Sequence, residues 1–377
     1  MKIACVGLAW YPQSPGGLEK YLFGMTHALL RAGDSVDLFV NGNPQLDSER
    51  GRAYSTGAID SPLWRRMIAA RSAYAKHFRE PYDVINIHFA LNALPLIPFI
   101  KHRAPRVVHF HGPWAAESVI EGNATAAGSI KAALERFIYH RGDSFIVLSS
   151  AFKELLAGYG VEPSRIRIIP MGIDTRFFTP AADRQDARAA LGWPADARVF
   201  FTARRLINRV GLMQLLDATR IVRATNENVL VKIAGKGPLR ADLEAAIRAQ
   251  GLTDCVELLG FVSEEDLVRC YQAADVTILP TQSLEGFGTI ISESLACGTP
   301  VIVTPVGGMP EAVAPLDPDL ITRSAAAEDI ADAMERVVRG ALALPSRERC
   351  RTFAERNYDW AIVYDKVRSV FMDAARR

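Results

Sequence analysis

Two glutamates, Glu285 and Glu293, stand eight positions apart in "LEGFGTIISESLACGTPVI" (residues 284–302), with Gly286-Phe287-Gly288 directly after the first and no charge between them. A surface helix would carry charge on every turn, so the spacing asks for a chemical reason. The stretch follows "ADVTILPTQS", which reads as a strand and its exit loop. Gly286 and Gly288 let backbone approach a ligand closely. A helix predicted from about Thr289 to Ala296 would aim its first N–H groups at a phosphate. Glu293, one turn below Thr289, could accept two hydrogen bonds from a vicinal diol such as a ribose, and Glu285 could reach the hydroxyls of a second sugar. The order suits a sugar joined through a diphosphate to a nucleoside. The competing reading is a loop acid and a helix acid paired with nearby bases.

Other loops carry matching groups. "FFTARRLINRVG" ends a strand with Arg204, Arg205 and Arg209, and the guanidinium fork fits phosphate oxygens. "VLVKIAGKGPLRADL" puts Gly235-Lys236-Gly237 after a strand, with Pro238 opening a helix. It completes neither a P-loop nor a GxGxxG, so the usual ATP and NAD signatures are absent. "AWYPQSPGGLEKYL" offers Gly16 and Gly17 at a helix entry, and "VVHFHGPW" ends a strand on His109 and His111. Strand alternation puts both histidines on one face, with His111 at the tip. Each of these also has a plain reading, a solvated basic turn or a structural histidine.

The elements that must position them follow from hydrophobic pattern. "KIACVGL", "SVDLFV", "DVINIHF", "RVVHFHG" and "SFIVLS" read as buried strands in the first half, and "RVFFTARRL", "VLVKIAG", "VELLGFV", "VTILPT" and "PVIVTP" in the second. Amphipathic helical stretches alternate with them, which predicts an α/β chain of two doubly wound parallel sheets. A length of 377 residues exceeds one ordinary core. The expected domains are 1–178 and 179–356, with a last helix over 357–377 crossing back to the first. Ligands of such sheets bind beyond the carboxyl ends of the strands, so a cleft lined by exit loops from both halves is expected.

Composition narrows the class further. Residues 1–178 carry 20 Lys+Arg against 15 Asp+Glu, and the rest 24 against 27, so the front half is basic within a chain of net charge +2. That balance suits an anionic surface for the front half and gives no nucleic-acid signature. Five scattered cysteines without a CxxC imply neither a disulfide framework nor zinc. "MKIACVGLAWYP" reads as a first strand rather than a signal peptide, and no run is long enough to span a bilayer, so a cytoplasmic protein is expected.

With "PGGLEK", "HFHG", "IIPMGIDTRFF", "RRLINRVG", "IAGKGPL", "LLGFVSEEDL", "AADVTILPT" and the E-x7-E stretch "EGFGTIISE" in this order, the chain resembles the retaining glycosyltransferases of family 4 almost end to end. The resemblance implies the GT-B fold of two facing Rossmann-like domains. It implies that Glu285 and the backbone of Gly286, Phe287 and Gly288 contact the donor sugar and Glu293 the ribose. Arg205 would hold the diphosphate, Gly17 would approach it from the other domain, and His111 would sit by the reacting sugar. Gly16, Arg209, Gly235, Lys236, Val262 and Thr289 complete the donor-binding set. The chain departs from the family at Val210, where a Lys is common before the Gly, and at Met171, where an Asn is usual. The first departure leaves Arg209, one position earlier, as the available cation.

The implied reaction moves a hexose from a GDP- or UDP-sugar to a lipid-linked or saccharide acceptor, as in cell-surface polysaccharide or glycolipid synthesis. Charge developing on the leaving diphosphate must be stabilised. The only Asp-x-Asp string, "DPD" at 317–319, reads as a turn, so arginines and a helix start are expected to do this without metal or other cofactor. An epimerase or phosphorylase on the same fold, or a silent nucleotide-sugar-binding subunit, are the alternatives. Finally, "SPLWRRMIAARSAYAKHFRE" (61–80) reads as a helix with Ser61 as N-cap and Pro62 first. Its stripe of Trp64, Met67, Ile68, Tyr74 and Phe78 either packs on the first sheet or, with its five cations, lies on an anionic membrane.

Overall fold

The computed structural model describes residues 1–14, 16–78, 81–88, 90–100, 104–113 and 127–376, with side chains of the last span from 131. Among these the chain divides into two compact units, Met1–Gly172 with Trp360–Arg377, and Ile173–Asp359. The first crossing falls six residues before the expected 178/179. Ile173 N–H donates to Tyr358 O at 2.7 Å, Ile173 bridges Asp359, and Thr175 Oγ1 donates to the Asp359 carboxylate. These contacts hold residues 173–178 and 357–359 in the second unit.

The first unit contains a seven-stranded sheet among the described residues, in the order β3-β2-β1-β4-β5-β6-β7. Its strands are β1 (Lys2–Ala9), β2 (Ser35–Asn41), β3 (Gly51–Ser55), β4 (Val84–Ile87), β5 (Arg106–Phe110), β6 (Ser144–Val147) and β7 (Ile166–Ile168). Every pairing is parallel. The central strands are continuous apolar runs because helices cover both faces. Strand order reverses between β1 and β4, which pair from Ile3 opposite Val84 to Val6 opposite Ile87. The Trp360–Ala375 helix packs in this unit. A Cβ at Gly24 or at Gly172 would run into the Trp360 indole, and Tyr364 OH donates to Asp34 at 2.9 Å. The Gly after Met171 is therefore a close-approach glycine.

The second unit holds a five-stranded parallel sheet, β10-β9-β8-β11-β12. Its strands are β8 (Arg198–Ala203), β9 (Val229–Ala234), β10 (Val256–Gly260), β11 (Val276–Leu279) and β12 (Val301–Val303). Order reverses between β8 and β11. At the amino end of that junction the buried Asp275 carboxylate accepts from Arg184 and Arg188, both at 2.7 Å, from Arg198 at 3.2 Å, and from Val199 N–H at 2.7 Å. A lone buried carboxylate would be costly; here it staples the Arg184–Leu191 helix to two strands.

The basic helix runs Leu63–His77, starting one residue later than expected. Pro62 takes the N-cap place with extended backbone, and Ser61 does not cap it. Its stripe is split. Tyr74 is buried and Met67 half-buried, whereas Trp64 is 61% and Ile68 62% exposed. Arg79 and Glu80 lie outside the described residues. Among the described residues all five cysteines are buried thiols, and no helix is long and apolar enough to cross a membrane.

Candidate functional site

In the second unit the strand-order reversal falls between β8 and β11, where an open parallel sheet places its ligands. The exits of those two strands are Arg204-Arg205 and Pro280–Glu285. Arg204 ties them together. Its guanidinium donates to Glu285 Oε2 at 2.7 Å and to Thr281 Oγ1 at 3.1 Å, and its side chain is only 7% exposed against 17% for Glu285. The sequence favours Arg205 and Arg209 as the working cations, yet Arg205 is exposed. One step along an extended exit reverses the side-chain direction. The residue that meets Glu285 is the neighbour.

The loop carrying Glu285 is held from several sides. Arg209 Nη1 donates to Leu284 O at 2.8 Å, and Arg209 O accepts from Gln282 N–H at 2.8 Å. Thr304 Oγ1 donates to Thr281 O at 2.6 Å, and Gly308 N–H to Glu285 O at 2.9 Å. Leu284 has φ of 49°, a left-handed conformation uncommon for a non-glycine residue. Two glycines make the close packing feasible. A Cβ at Gly211 would collide with the Pro280 carbonyl, and one at Gly307 with the Glu285 carbonyl. Val210 is buried, so the position where the family favours Lys serves the core here, and Arg209 reaches the loop instead.

Beyond Glu285 the chain turns through Gly288, with φ of 81°, into the Thr289–Ala296 helix. No side chain caps this helix start, which leaves its positive end for an anion. Phe287 is buried edge-to-face on Tyr358, 5.1 Å between centroids, so only its backbone can serve a ligand. Glu293 is buried on the helix and accepts from Tyr271 OH at 2.7 Å. Burial, then the Glu293 charge, push the Tyr271 hydroxyl well above its usual range, so it stays a donor. Gly235 packs under the Arg204 carbonyl, Lys236 is exposed with its ammonium 5.0 Å from the Phe261 ring, and Val262 is half-buried after β10. The "DPD" string is a short 3₁₀ turn in which Asp317 accepts from Asp319 N–H at 3.0 Å.

In the first unit Gly16 is the N-cap of the Gly17–Arg31 helix, and no side chain caps that start in the usual way. The Glu19 carboxylate lies against Gly16 instead, where a Cβ would strike it. His111 is half-buried and belongs to a cluster that the sequence only partly shows. Asn86 and His88 share one face of β4 and its exit, and His109 and His111 share the same face of β5 and its exit. Tyr21 covers them, 5.0 Å from His111 between ring centroids. His88 N–H donates to Val6 O at 2.8 Å, which puts His88 at the first sheet's own reversal point. The filter for residues just after apolar runs could have picked out His88. Burial holds His111 down at about 4, and burial first, then the neighbouring imidazoles, hold His88 and His109 well below the usual range. All three are neutral at pH 7.

The donor nitrogens of His88, His109 and His111 lie within 4.8 Å of one another, a set that could hold a transition metal. Orientation speaks for hydrogen bonding between two of them. His88 Nδ1 and His111 Nε2 are 3.2 Å apart, while their centroids are 5.5 Å apart and their planes 23° from parallel. The centroid separation is nearly that contact plus the two centroid-to-nitrogen lengths, so the ring axes run along the contact. Lone pairs serving a shared ion would converge beside that line. A cavity of about 750 Å³ lined by Ile97, Arg106, His140 and Arg165 opens at the amino ends of β5 and β6, the wrong end for these groups.

Two parallel α/β units with their reversal points lined this way define a GT-B glycosyltransferase. Residues 15–177 match the model of "Glycosyltransferase Family 4" and residues 183–357 that of "Glycosyl transferases group 1". The chain is 34% identical to a D-inositol 3-phosphate glycosyltransferase of Saccharomonospora viridis, over 95% of this chain and 89% of that one. Its fold is similar to that of sucrose-phosphate synthase from Thermosynechococcus elongatus, at TM-score 0.82 and 23% identity over 99% of this chain and 98% of that one. It is also similar in fold to Anabaena Alr3699/HepE in complex with UDP-glucose, at TM-score 0.78 and 18% identity over 99% of this chain and 100% of that one. The chain belongs to glycosyltransferase family 4.

Proposed function

We propose that this glycosyltransferase moves a hexose from a nucleoside-diphosphate sugar, a UDP- or GDP-sugar, to a hydroxyl of a glycan or lipid-linked acceptor, with retention at the anomeric carbon. The observation that carries the reading is the Arg204–Glu285 pair across the reversal point of the second sheet. A carboxylate held by an arginine is fixed in direction. It can accept hydrogen bonds from sugar hydroxyls and is poorly placed to act as a free nucleophile. Attack by the acceptor on the same face as the departing diphosphate, which takes the proton, is therefore favoured over a covalent sugar–enzyme intermediate.

Arg205, Arg209 and the uncapped Thr289–Ala296 helix start would stabilise the charge that develops on the diphosphate. Glu293, which also accepts from Tyr271, would take the ribose diol. Gly235, Lys236 and Val262 would border the nucleoside, and in the first unit Gly16, Gly17 and His111 are the candidates for binding sugar or phosphate oxygens. No metal is needed in this account. Among similar proteins, a structure with UDP-glucose supports a UDP-sugar donor.

The exposed face of the Leu63–His77 helix supports an acceptor presented at a membrane. Trp64 and Ile68 project from it beside Arg65, Arg71 and Lys76, all exposed. That arrangement suits peripheral attachment to an anionic leaflet. A phosphorylated inositol is the second reading for the acceptor, favoured by the similarity to the D-inositol 3-phosphate glycosyltransferase of Saccharomonospora viridis. A thermal-shift panel of nucleotide sugars, with and without EDTA, tests the donor side. A UDP- or GDP-sugar should raise Tm unchanged by EDTA. Stabilisation that needs added magnesium would refute the metal-free part, and none with any nucleotide sugar would refute the donor site.

A further inference from the structure

We propose that Asn86 and His88 are positioning residues that fix the tautomer of His111, so that His111 presents a neutral Nδ1–H donor rather than a base. The functional consequence rests on the reading above, in which His111 serves the reacting sugar; the tautomer itself does not.

The chain of hydrogen bonds starts at the amide. Asn86 is fully buried in β4, and its Nδ2 faces His88 Nε2 at 2.8 Å, Cys5 Sγ at 3.7 Å and Met25 Sδ at 3.8 Å. A thioether can only accept, so Met25 selects the amide edge that donates. Asn86 therefore donates to His88 Nε2, which must carry a lone pair. A neutral imidazole holds one proton, so that of His88 sits on Nδ1 and is donated to His111 Nε2 at 3.2 Å. His111 Nε2 is then the acceptor, and its own proton is left on Nδ1. Burial keeps both rings neutral at pH 7, so no second proton blurs the assignment.

The direction of the chain has chemical content. With the opposite polarity, Nδ1 of His111 would carry a lone pair and could take the acceptor's proton. With the polarity inferred from Asn86, it donates a hydrogen bond to an oxygen of the sugar or acceptor and leaves proton removal to the departing diphosphate. Asn86→Asp inverts the chain without changing its shape. A carboxylate only accepts, so His88 must put its proton on Nε2, accept at Nδ1 from His111 Nε2–H, and expose a lone pair at His111 Nδ1.

The test reads protons directly. In ¹⁵N-histidine-labelled protein at neutral pH, two-bond ¹H–¹⁵N spectra distinguish Nδ1–H from Nε2–H rings. Wild type should show both His88 and His111 as Nδ1–H, and Asn86→Asp should convert both to Nε2–H. His111 as Nε2–H in wild type overturns the proposal, and wild type alone decides this if the variant does not fold. Metal-type shifts at His88 and His111 on adding one equivalent of zinc at a micromolar level would overturn it in favour of an ion site. Kinetics separate the other question. If the rings convert, kcat in Asn86→Asp should fall about tenfold, the worth of one hydrogen bond in the transition state, with KM for the nucleotide sugar changed less. Ring conversion with unchanged kcat leaves the tautomer relay standing and removes His111 from the reacting sugar.

Discussion

Replacing Arg204 by Met keeps the length of the side chain and deletes both donors that hold Glu285 and Thr281. The magnitude follows from burial and contact. The pair is 2.7 Å apart, with side chains 7% and 17% exposed, so water screens it little. Charges about 4 Å apart attract by about 4 kcal/mol at an effective dielectric near 20, but most of that offsets the cost of desolvating the arginine. Loss of a charge-assisted hydrogen bond with the partner left in place leaves about 1.5–3 kcal/mol. Urea unfolding should therefore show Arg204→Met less stable by about 2 kcal/mol at pH 7. Turnover should fall further than that of Arg204→Lys, which keeps the charge on a single head. Since the pair is shielded, high salt should not abolish the difference between wild type and the variant. Wild-type stability together with wild-type kcat in Arg204→Met would refute the argument that this pair sets the direction of Glu285.

Three further perturbations probe other parts of the account. Glu293→Gln should weaken binding of UDP, measured by calorimetry, by roughly 1–2 kcal/mol, because one carboxylate acceptor becomes an amide; unchanged affinity would take Glu293 out of the nucleoside site. His109 has neither ring nitrogen hydrogen-bonded among the described residues, and burial keeps it neutral in the fold. The unfolded ring takes a proton below about pH 6.5, so stability is present at neutral pH and lost as pH falls. Between about pH 7.5 and about pH 5.5, His109→Phe should lose about 1.4 kcal/mol less than wild type; equal losses would mean that His109 is already charged in the fold. On the basic helix, Arg65→Glu with Trp64→Ser should abolish co-sedimentation with anionic vesicles at low salt while leaving Tm within a few degrees. Retained binding would place the membrane contact elsewhere.

How much of this was legible in the sequence depends on what each feature leaves in the local pattern. Ten of the strands announce themselves as short apolar runs, because a parallel sheet covered on both faces buries most residues of its strands. The first sheet's edge strands β3, "GRAYS", and β7, "IRI", do not, since most of their residues are exposed or half-exposed. The order of Glu285, the glycines, Thr289 and Glu293 was readable because it is local. The partner of Glu285 was not. Arg204 and Arg205 are alike in sequence, and which of them alternation turns toward Glu285 is set only once the strand exits lie side by side. His88 is a similar case, an unremarked histidine after an apolar run until β4 and β5 lie side by side. The basic helix failed in the opposite sense. Its five apolar residues suggested one stripe, but Tyr74 and Trp64 project to different sides, and the unit buries only one of them. The boundary slipped because Ile173 and Thr175 are committed by contacts with residues almost two hundred positions away.

The central claim, transfer of a sugar from a nucleoside diphosphate to an acceptor, is tested most directly by following UDP-glucose and GDP-mannose by NMR with and without an extract of glycolipid and glycan acceptors. The account predicts free nucleoside diphosphate that accumulates from one donor only when acceptor is present, with a new anomeric signal in the donor's own configuration. Tight nucleotide-sugar binding with no acceptor-dependent release of nucleoside diphosphate, or a product of inverted configuration, would contradict it.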